Sequence, residues 1–278
     1  MIRKIFSMMS KVLLGLLFLG MAPASMAQDT GEVLDQVLAA GHRSEANRAR
    51  DKYRHPKETL LFMGVRPDMT VVEVWPSAGW WTEILAPMLR EKGNYYAAWF
   101  ATAAKGTPQF LIDREIGFDA MIAGRPDLYG KVKKTALLAP DFVEFAPKGS
   151  VDMVLTFRNV HNWAKAGNAD AMFKAFYDVL KPGGVLGVKD HRAKPGTDFK
   201  RQIDSGYMTE AWVIEAAEKA GFKFVNKSEI NANPKDTTDY PGGVWTLPPN
   251  LRNVAEADKP KYLAIGESDR MTLKFAKP

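Results

Sequence analysis

Residues 70–81 read TVVEVWPSAGWW and predict a strand that leads through a short loop into a helix. The segment 70–75 is rich in β-branched and apolar residues, which favours a strand buried on both faces. The small residues Ser77, Ala78 and Gly79 let the backbone approach a ligand closely, and a helix start offers free N–H groups to a carboxylate. A tight turn that binds nothing explains the same loop equally well, because one glycine is weak support for a ligand site.

Strand and helix patterns alternate along most of the chain. Further strands are predicted at 95–100, 132–138, 151–157 and 185–191, with helical segments between them. This alternation predicts a Rossmann-like, doubly wound α/β fold with a mostly parallel sheet. The last two strand candidates, 222–230 and 270–277, are expected to pair antiparallel at an edge of that sheet. The polar stretch of about 231–267 between them is long for a compact domain, so it is either a lid or a loop in solvent.

The amino terminus has the residue order of a secretory signal peptide. Basic residues precede an apolar run over 12–21, and small residues precede a predicted cut after Ala27. The run is about ten residues long, well short of the roughly 20 that a bilayer span needs. We therefore expect residues 1–27 to be removed, leaving a periplasmic or secreted chain without a stable membrane span. Residues 28–278 are then predicted to form a single α/β domain, with a helical extension over about 28–55.

The composition excludes several kinds of site. The chain has no cysteine, which excludes disulfides, thiol nucleophiles and cysteine-bound metals. Its four histidines show no close helical pairing, and no metal site is predicted. The formal net charge of +6 includes three cations of the signal peptide. Because the other basic residues are scattered, no nucleic-acid partner is expected.

Two polar clusters follow the strands at 151–157 and 185–191. Neighbouring strands lie about 4.8 Å apart, so side chains just beyond them should face one crevice, where ligands bind in an open α/β sheet. His161 is predicted to act as a base or to position the substrate, with Asp190 or His191 orienting it. The residues predicted to take part in catalysis are His161, Asp190 and Arg158, and those predicted to contact the substrate are Asn159, Asn162, Trp163, His191 and Arg192.

The same clusters also have a purely structural interpretation. His161 and Asn162 would then cap the turn after the strand, and Asp190 would form an ion pair with Arg192. The pattern favours a functional role for His161 and leaves both interpretations open for Asp190 and Arg192.

Several motifs resemble a known family. The placement of Glu73 and Gly79, the segment 140–154 (PDFVEFAPKGSVDMV) and the segment 176–188 (FYDVLKPGGVLGV) are similar to successive motifs of class I S-adenosylmethionine-dependent methyltransferases. The resemblance covers the chain from about Arg50 onward. The chain resembles, more specifically, an exported branch of predicted methyltransferases. The segments that carry this resemblance are 158–163, 189–193, 228–237, 243–249 and 265–273.

The resemblance implies S-adenosylmethionine as the cofactor. Glu73 and Gly79 would flank its methionine part, with Ser77 as a further contact in the same loop. Asp141 and Phe142 would lie against its adenine.

Two features depart from the family pattern. Trp75 and Ser77 stand where the family's loop has glycine. In the family, an acidic residue at the end of the second strand accepts hydrogen bonds from the ribose hydroxyls. The corresponding segment of this chain, 95–106, has no acidic residue. A charge-assisted contact of that kind is stronger than a neutral hydrogen bond, so its loss would weaken cofactor binding.

The sequence therefore supports two functions. The first is an exported S-adenosylmethionine-dependent methyltransferase that acts on a small molecule or a protein, and the polar cluster around His161 favours it. The second is a methyltransferase scaffold that has lost catalysis and binds an extracytoplasmic ligand or partner, which Trp75, Ser77 and the missing acid favour. A nicotinamide oxidoreductase is less favoured, because the loop lacks the spaced glycines that admit a pyrophosphate.

Overall fold

Seven strands form one mixed β-sheet in the computed structural model, which describes the backbone of residues 22–278 and the side chains from Thr30 onward. The order across the sheet is β3-β2-β1-β4-β5-β7-β6. The first five strands along the chain pair in parallel, whereas β7 runs antiparallel to both β5 and β6. The strands are β1 (Thr70–Val74), β2 (Asn94–Phe100), β3 (Lys133–Leu137), β4 (Val151–Phe157), β5 (Leu180–His191), β6 (Lys223–Lys227) and β7 (Arg270–Ala276).

This sheet confirms the predicted Rossmann-like, mostly parallel architecture with an antiparallel edge. The last two strands pair with each other as expected, and β6 forms the edge while β7 lies inside it. β1 lies between β2 and β4, so the order of the strands in the sheet reverses direction at β1. Ligands bind at such a switch point, beyond the carboxyl ends of the strands. The loops after β1, β4 and β5 meet there, because Val74 lies beside Thr156 and Phe157 beside Lys189.

Twelve helices flank the sheet within the described residues. The helix Pro56–Met63 has a proline in its first turn, and Gly64 follows it in the left-handed conformation at φ 85°. The helices are α1 (Ala22–Ala39), α2 (Glu45–Arg48), α3 (Asp51–Arg54), α4 (Pro56–Met63), α5 (Thr82–Leu89), α6 (Gln109–Gly124), α7 (Pro126–Tyr129), α8 (Val160–Ala166), α9 (Ala169–Val179), α10 (Phe199–Ser205), α11 (Glu210–Lys219) and α12 (Lys259–Ile265).

The two faces of the sheet carry separate hydrophobic cores, because successive side chains of a strand point to opposite faces. Val71 of β1 packs with α4 and α5 and with the fully buried Leu34 of α1. Its neighbour Val72 packs on the other face with α8, α9 and α11, around the fully buried Trp163. The amino-terminal helical segment is therefore part of one core.

The predicted signal peptide falls mostly outside the described residues. Residues 1–21 are not described, and the proposed cut after Ala27 lies among residues whose side chains are not described. From Ala22 onward, no helix is both long enough and apolar enough to cross a bilayer.

Candidate functional site

The loop after β1 adopts an unusual backbone conformation. Trp75, Ser77 and Gly79 all have positive φ, at 48°, 54° and 77°. Residues other than glycine rarely adopt this region, and strain of this kind clusters at functional sites. The chain therefore keeps, at positions 75 and 77, the conformation that glycine would adopt most easily.

The same loop presents free backbone donors. The N–H groups of Ser77, Ala78 and Trp80 have no hydrogen-bond partner among the residues that the structure describes. They precede α5, whose amino-terminal end adds a partial positive charge. A carboxylate is the kind of group that such a loop can bind.

The indole of Trp75 extends from this loop to the end of β3. Its Nε1 donates to the carbonyl oxygen of Leu137 at 2.9 Å. Its ring contacts Phe100 and Trp163, with centroids 4.9 and 5.7 Å away. Because the side chain remains partly exposed, the indole forms an aromatic surface across the carboxyl ends of β1, β2 and β3.

Asp141 and Phe142, the predicted adenine contacts, follow β3 at the same edge of the sheet. Phe142 is tied to Leu138 by two backbone hydrogen bonds of 2.8 and 2.9 Å, and Asp141 is exposed. This turn therefore lies next to Leu137, whose carbonyl oxygen accepts the hydrogen bond from the Trp75 indole.

Gly79 lies against a side chain of α6. A Cβ atom added at Gly79 would lie 2.5 Å from Cε of Met121. The Met121 side chain is flexible and can move, but the positive φ favours glycine, so substitutions at this position are expected to lower stability whatever the loop binds.

Glu73, predicted to flank the methionine part of a cofactor, has a different environment. Its side chain is buried and accepts hydrogen bonds from Tyr95 Oη at 2.5 Å and from Thr82 Oγ1 at 3.1 Å. These bonds connect β1 to β2 and to the first residue of α5. Glu73 therefore supports the loop from within the core and does not face the crevice.

Replacing Glu73 by glutamine is expected to remove a pH dependence of stability. Burial raises the pKa of Glu73 from 4.5 to about 7, so the folded chain binds this proton more tightly than the unfolded chain. The free energy of unfolding of the wild type should therefore decrease by roughly 3 kcal/mol as the pH rises from below 4.5 to above about 7. Denaturant unfolding of both proteins from about pH 4 to 8 measures the difference. A difference that stays constant would contradict the raised pKa.

His161 and Asp190 form the centre of the polar cluster. His161 Nδ1 lies 3.0 Å from Asp190 Oδ1, and the backbone N–H groups of His161 and His191 donate to the same carboxylate at 3.1 and 2.7 Å. Asp190 has no exposed surface, and His161 is 7% exposed. Since Nδ1–H donates to Asp190, Nε2 of His161 is the ring acceptor, and it has no partner among the described residues. The predicted pairing of the two side chains is therefore present.

Arg158 and His191 extend this cluster. Arg158 directly follows β4 with φ 67°, and its Nε donates to His191 Nε2 at 3.3 Å. Burial and the neighbouring Arg158 hold the pKa of His191 well below its usual value, so the ring is neutral. Because Nε2 accepts from Arg158, the ring proton is on Nδ1, which donates to Ser268 Oγ at 2.5 Å.

The remaining predicted substrate contacts lie apart from the crevice or are held by other groups. Trp163 is fully buried in the core, and only Asn162 is exposed. The amide of Asn159 donates to the Val74 carbonyl at 2.9 Å and joins the ends of β1 and β4. Arg192 pairs with Asp269, Glu210 and Glu229, not with Asp190.

Three side chains of the cluster have the chemistry of metal ligands. Ligand atoms of His161, Asp190 and His191 lie within 4.8 Å of one another. The sequence analysis placed these three residues in one crevice, but it did not predict a metal site there. His191 Nε2 already accepts from the Arg158 cation, and Asp190 already accepts three hydrogen bonds. We therefore interpret the set as a hydrogen-bonded cluster.

The long segment of residues 231–267 is tied to the domain and covers part of the site. Asn231 is buried and donates to Thr272 Oγ1 at 2.9 Å, and Asp236 accepts from Tyr207 Oη at 2.9 Å. Trp245, in a 3₁₀ turn at Gly243–Thr246, lies against His161 with ring centroids 6.1 Å apart. A second 3₁₀ turn, Glu256–Asp258, leads into α12. The segment is a packed cover with one aromatic contact to the site.

Comparison with solved structures identifies the architecture. A methyltransferase from Aquifex aeolicus, described as S-adenosylmethionine-dependent, superposes with a TM-score of 0.53 at 16% identity over 83% of this chain and 93% of its own. The chain has the fold of S-adenosylmethionine-dependent methyltransferases. The [4+2]-cyclase SpnF superposes equally well, with a TM-score of 0.53 at 15% identity over 91% of this chain and 96% of its own. At such identities the likeness shows the fold alone, and a cyclase among the similar structures agrees with the rule that fold does not decide reaction.

Comparison at the sequence level adds no family. No protein-family model matches the chain, and no curated protein matches it either.

Proposed function

We propose that this chain is an exported S-adenosylmethionine-dependent methyltransferase whose acceptor binds beside His161. The observation that carries the proposal is the loop after β1. Its three left-handed residues and free N–H groups lie at the switch point of a methyltransferase-like sheet, next to the His161–Asp190 pair.

The residues present fit the cofactor at both of its ends. The free N–H groups of Ser77, Ala78 and Trp80 suit its carboxylate. The partly exposed indole of Trp75 offers a surface on which a purine can stack, worth about 1–3 kcal/mol per base. Stacking of this size offsets the absence of an acid after β2, where Thr102 donates instead to Glu115 of α6. When bound, the cofactor supplies an electrophilic methyl group.

The chain's own residues then orient and deprotonate the acceptor. Asp190 fixes the His161 ring with its proton on Nδ1, leaving Nε2 to accept a proton from an acceptor hydroxyl or amine. Trp245 and the segment of residues 231–267 shield this position from water. Arg158 holds His191 in one tautomer and places a cation at the edge of the cluster.

A second candidate function is ligand binding without methyl transfer. One observation favours it: the indole of Trp75 lies between the β1 loop and β3, where a nucleoside would have to bind. If the indole fills that position, the crevice binds a ligand of another kind.

Replacing Trp75 by alanine separates the two functions. If the indole is a stacking surface, the affinity for S-adenosylhomocysteine should fall by roughly 5- to 150-fold, the equivalent of about 1–3 kcal/mol. Isothermal titration of the wild type, Trp75→Ala and Trp75→Phe measures this, with the phenylalanine variant retaining a ring that lacks the Leu137 hydrogen bond. Trp212→Ala is the matched control, because Trp212 stacks on Phe199 away from the loop.

The opposite sign would support the second candidate. Tighter binding by Trp75→Ala than by the wild type would show that the indole blocks the site. Absence of wild-type binding to S-adenosylmethionine and S-adenosylhomocysteine at millimolar concentration would end the methyltransferase proposal.

A further inference from the structure

Several arginines converge on one carboxylate beside the site. Glu267 pairs with Arg50 at 2.6 Å, with Arg54 at 3.2 Å and with Arg270 at 2.5 Å. Arg54, Arg270 and Glu267 are all at least nine-tenths buried. Arg158 lies close enough to this group for its charge to act on Arg54, and it makes no hydrogen bond to Glu267.

Positive charge exceeds negative charge in this cluster. Burial lowers the pKa of Arg54 and of Arg158, the latter to about 10 with a further contribution from Arg270. Burial alone would raise the pKa of Glu267, but its arginine neighbours hold it far below the usual value. Arginine stays charged under such conditions, so four guanidinium groups lie near one carboxylate, and three of them pair with it. The other acid that acts on Arg158 is Asp190, which is already hydrogen-bonded by His161 and His191.

Several donors of these arginines have no partner. Arg50 Nη2 and Arg270 Nε are buried without a hydrogen bond in the part of the chain that the structure describes. Arg158 bonds only through Nε, which leaves its two terminal nitrogens without an acceptor among the described residues. Buried donors in native proteins are nearly always paired, and an unpaired one indicates a water molecule, an ion or a functional role.

We propose that Arg158 and Arg50, beside the buried Arg270, bind an oxyanion, a carboxylate or a phosphate, carried by the molecule that reacts or binds at His161. The planar fork of arginine matches both groups and forms paired, charge-assisted hydrogen bonds with them. Arg158 connects this cluster to the candidate base, since it bonds His191, whose ring centre lies 5.3 Å from that of His161. As an assignment of the methyl acceptor, this inference rests on the proposed function; as an anion site, it does not.

The structure also distinguishes an anion site from an internal ion-pair network. Glu267 is fully engaged by three arginines without Arg158. Arg158 adopts a left-handed backbone and remains partly exposed at the end of β4, and the Arg50 side chain is 24% exposed. Arg158 and Arg50 are therefore the two arginines of the cluster whose side chains a solute can reach.

Anion binding to the full chain without cofactor tests this site. Thermal unfolding and isothermal titration would use inorganic phosphate and malonate separately, each compared with chloride at equal ionic strength. The variants are Arg158→Gln and Arg50→Gln. The matched control is Arg201→Gln, which removes the same charge from an exposed pair with Asp239.

We expect phosphate, malonate or both to raise the wild-type melting temperature above the chloride value, and the stronger of the two identifies the preferred oxyanion. Arg158→Gln should weaken that binding at least tenfold, and Arg50→Gln should weaken it in the same direction if Arg158→Gln unfolds. Arg201→Gln should bind as the wild type does. Equal effects of all three anions on the wild type would overturn the proposal, as would wild-type affinity in folded Arg158→Gln and Arg50→Gln.

Titration with S-adenosylhomocysteine separates this inference from the proposed function. Arg158→Gln should bind it within about twofold of the wild type, because the arginine cluster does not include the β1 loop. Anion binding without any binding of S-adenosylhomocysteine would leave the anion site standing and refute the methyltransferase. Binding of S-adenosylhomocysteine without any effect of the anions would refute the anion site and leave the methyltransferase proposal standing.

Discussion

Replacing Asp190 by alanine is expected to lower the free energy of unfolding by about 3–5 kcal/mol, because it leaves several buried hydrogen-bond donors without an acceptor. Asp190 has no exposed surface and accepts hydrogen bonds from two backbone N–H groups and from the His161 ring. Alanine would leave all three donors unpaired in a site that water reaches poorly, and each such loss costs about 1–3 kcal/mol. Chemical denaturation of the two proteins measures the difference.

Two further variants make this stability prediction specific. Asp190→Asn keeps one acceptor oxygen and nearly the same volume, so it should recover part of the loss. Asp204→Ala removes an acid from an exposed pair with Lys200 and should change stability by less than about 0.5 kcal/mol. A loss below about 1 kcal/mol in Asp190→Ala would mean that the hydrogen-bonded cluster does not form.

The fold was predictable because its signals are local. The strand at Val151–Phe157 has the bounds that its apolar pattern predicted. The pairing of His161 with Asp190 was also predictable, since each follows one of two adjacent parallel strands.

Side-chain direction at the ends of the strands was not predictable in the same way. Arg158 adopts a positive φ, and Trp163, in the helix α8 that follows, packs into the core and not into the crevice. Glu73 faces Tyr95 and Thr82 because that face of β1 is covered by α5. These directions depend on the backbone at single residues and on packing between distant elements.

The arginine cluster was missed for a different reason. Arg50 and Glu267 are 217 residues apart. Arg270 lies three residues after Glu267 and begins β7, which pairs antiparallel with β5. Each arginine alone resembles an exposed surface residue. Only the excess of buried positive charge, which appears when the segments meet, identifies them as a group.

Replacing His161 by alanine is expected to reduce methyl transfer by 10²- to 10⁴-fold, the range for a lost acid–base group. The cofactor contacts proposed for the β1 loop remain, so affinity for S-adenosylhomocysteine should change by less than about twofold. Release of S-adenosylhomocysteine, measured with acceptors that carry the oxyanion preferred at the arginine cluster, gives the rate. His42→Ala is the matched control, because His42 bonds only the Glu83 carbonyl.

The chemistry of the acceptor makes the His161 test decisive. A hydroxyl must lose its proton as it attacks the methyl group, and a protonated amine must lose a proton before it attacks, whereas a carboxylate has none to lose. Loss of the base should therefore slow hydroxyl or amine acceptors by the full factor and carboxylate acceptors by far less. His161→Gln, which retains a polar side chain without a basic nitrogen, should behave as the alanine variant does. Equal rates in the wild type and the variants, with stability lowered by about 0.5–2 kcal/mol, would instead identify His161 as a cap of the turn after β4.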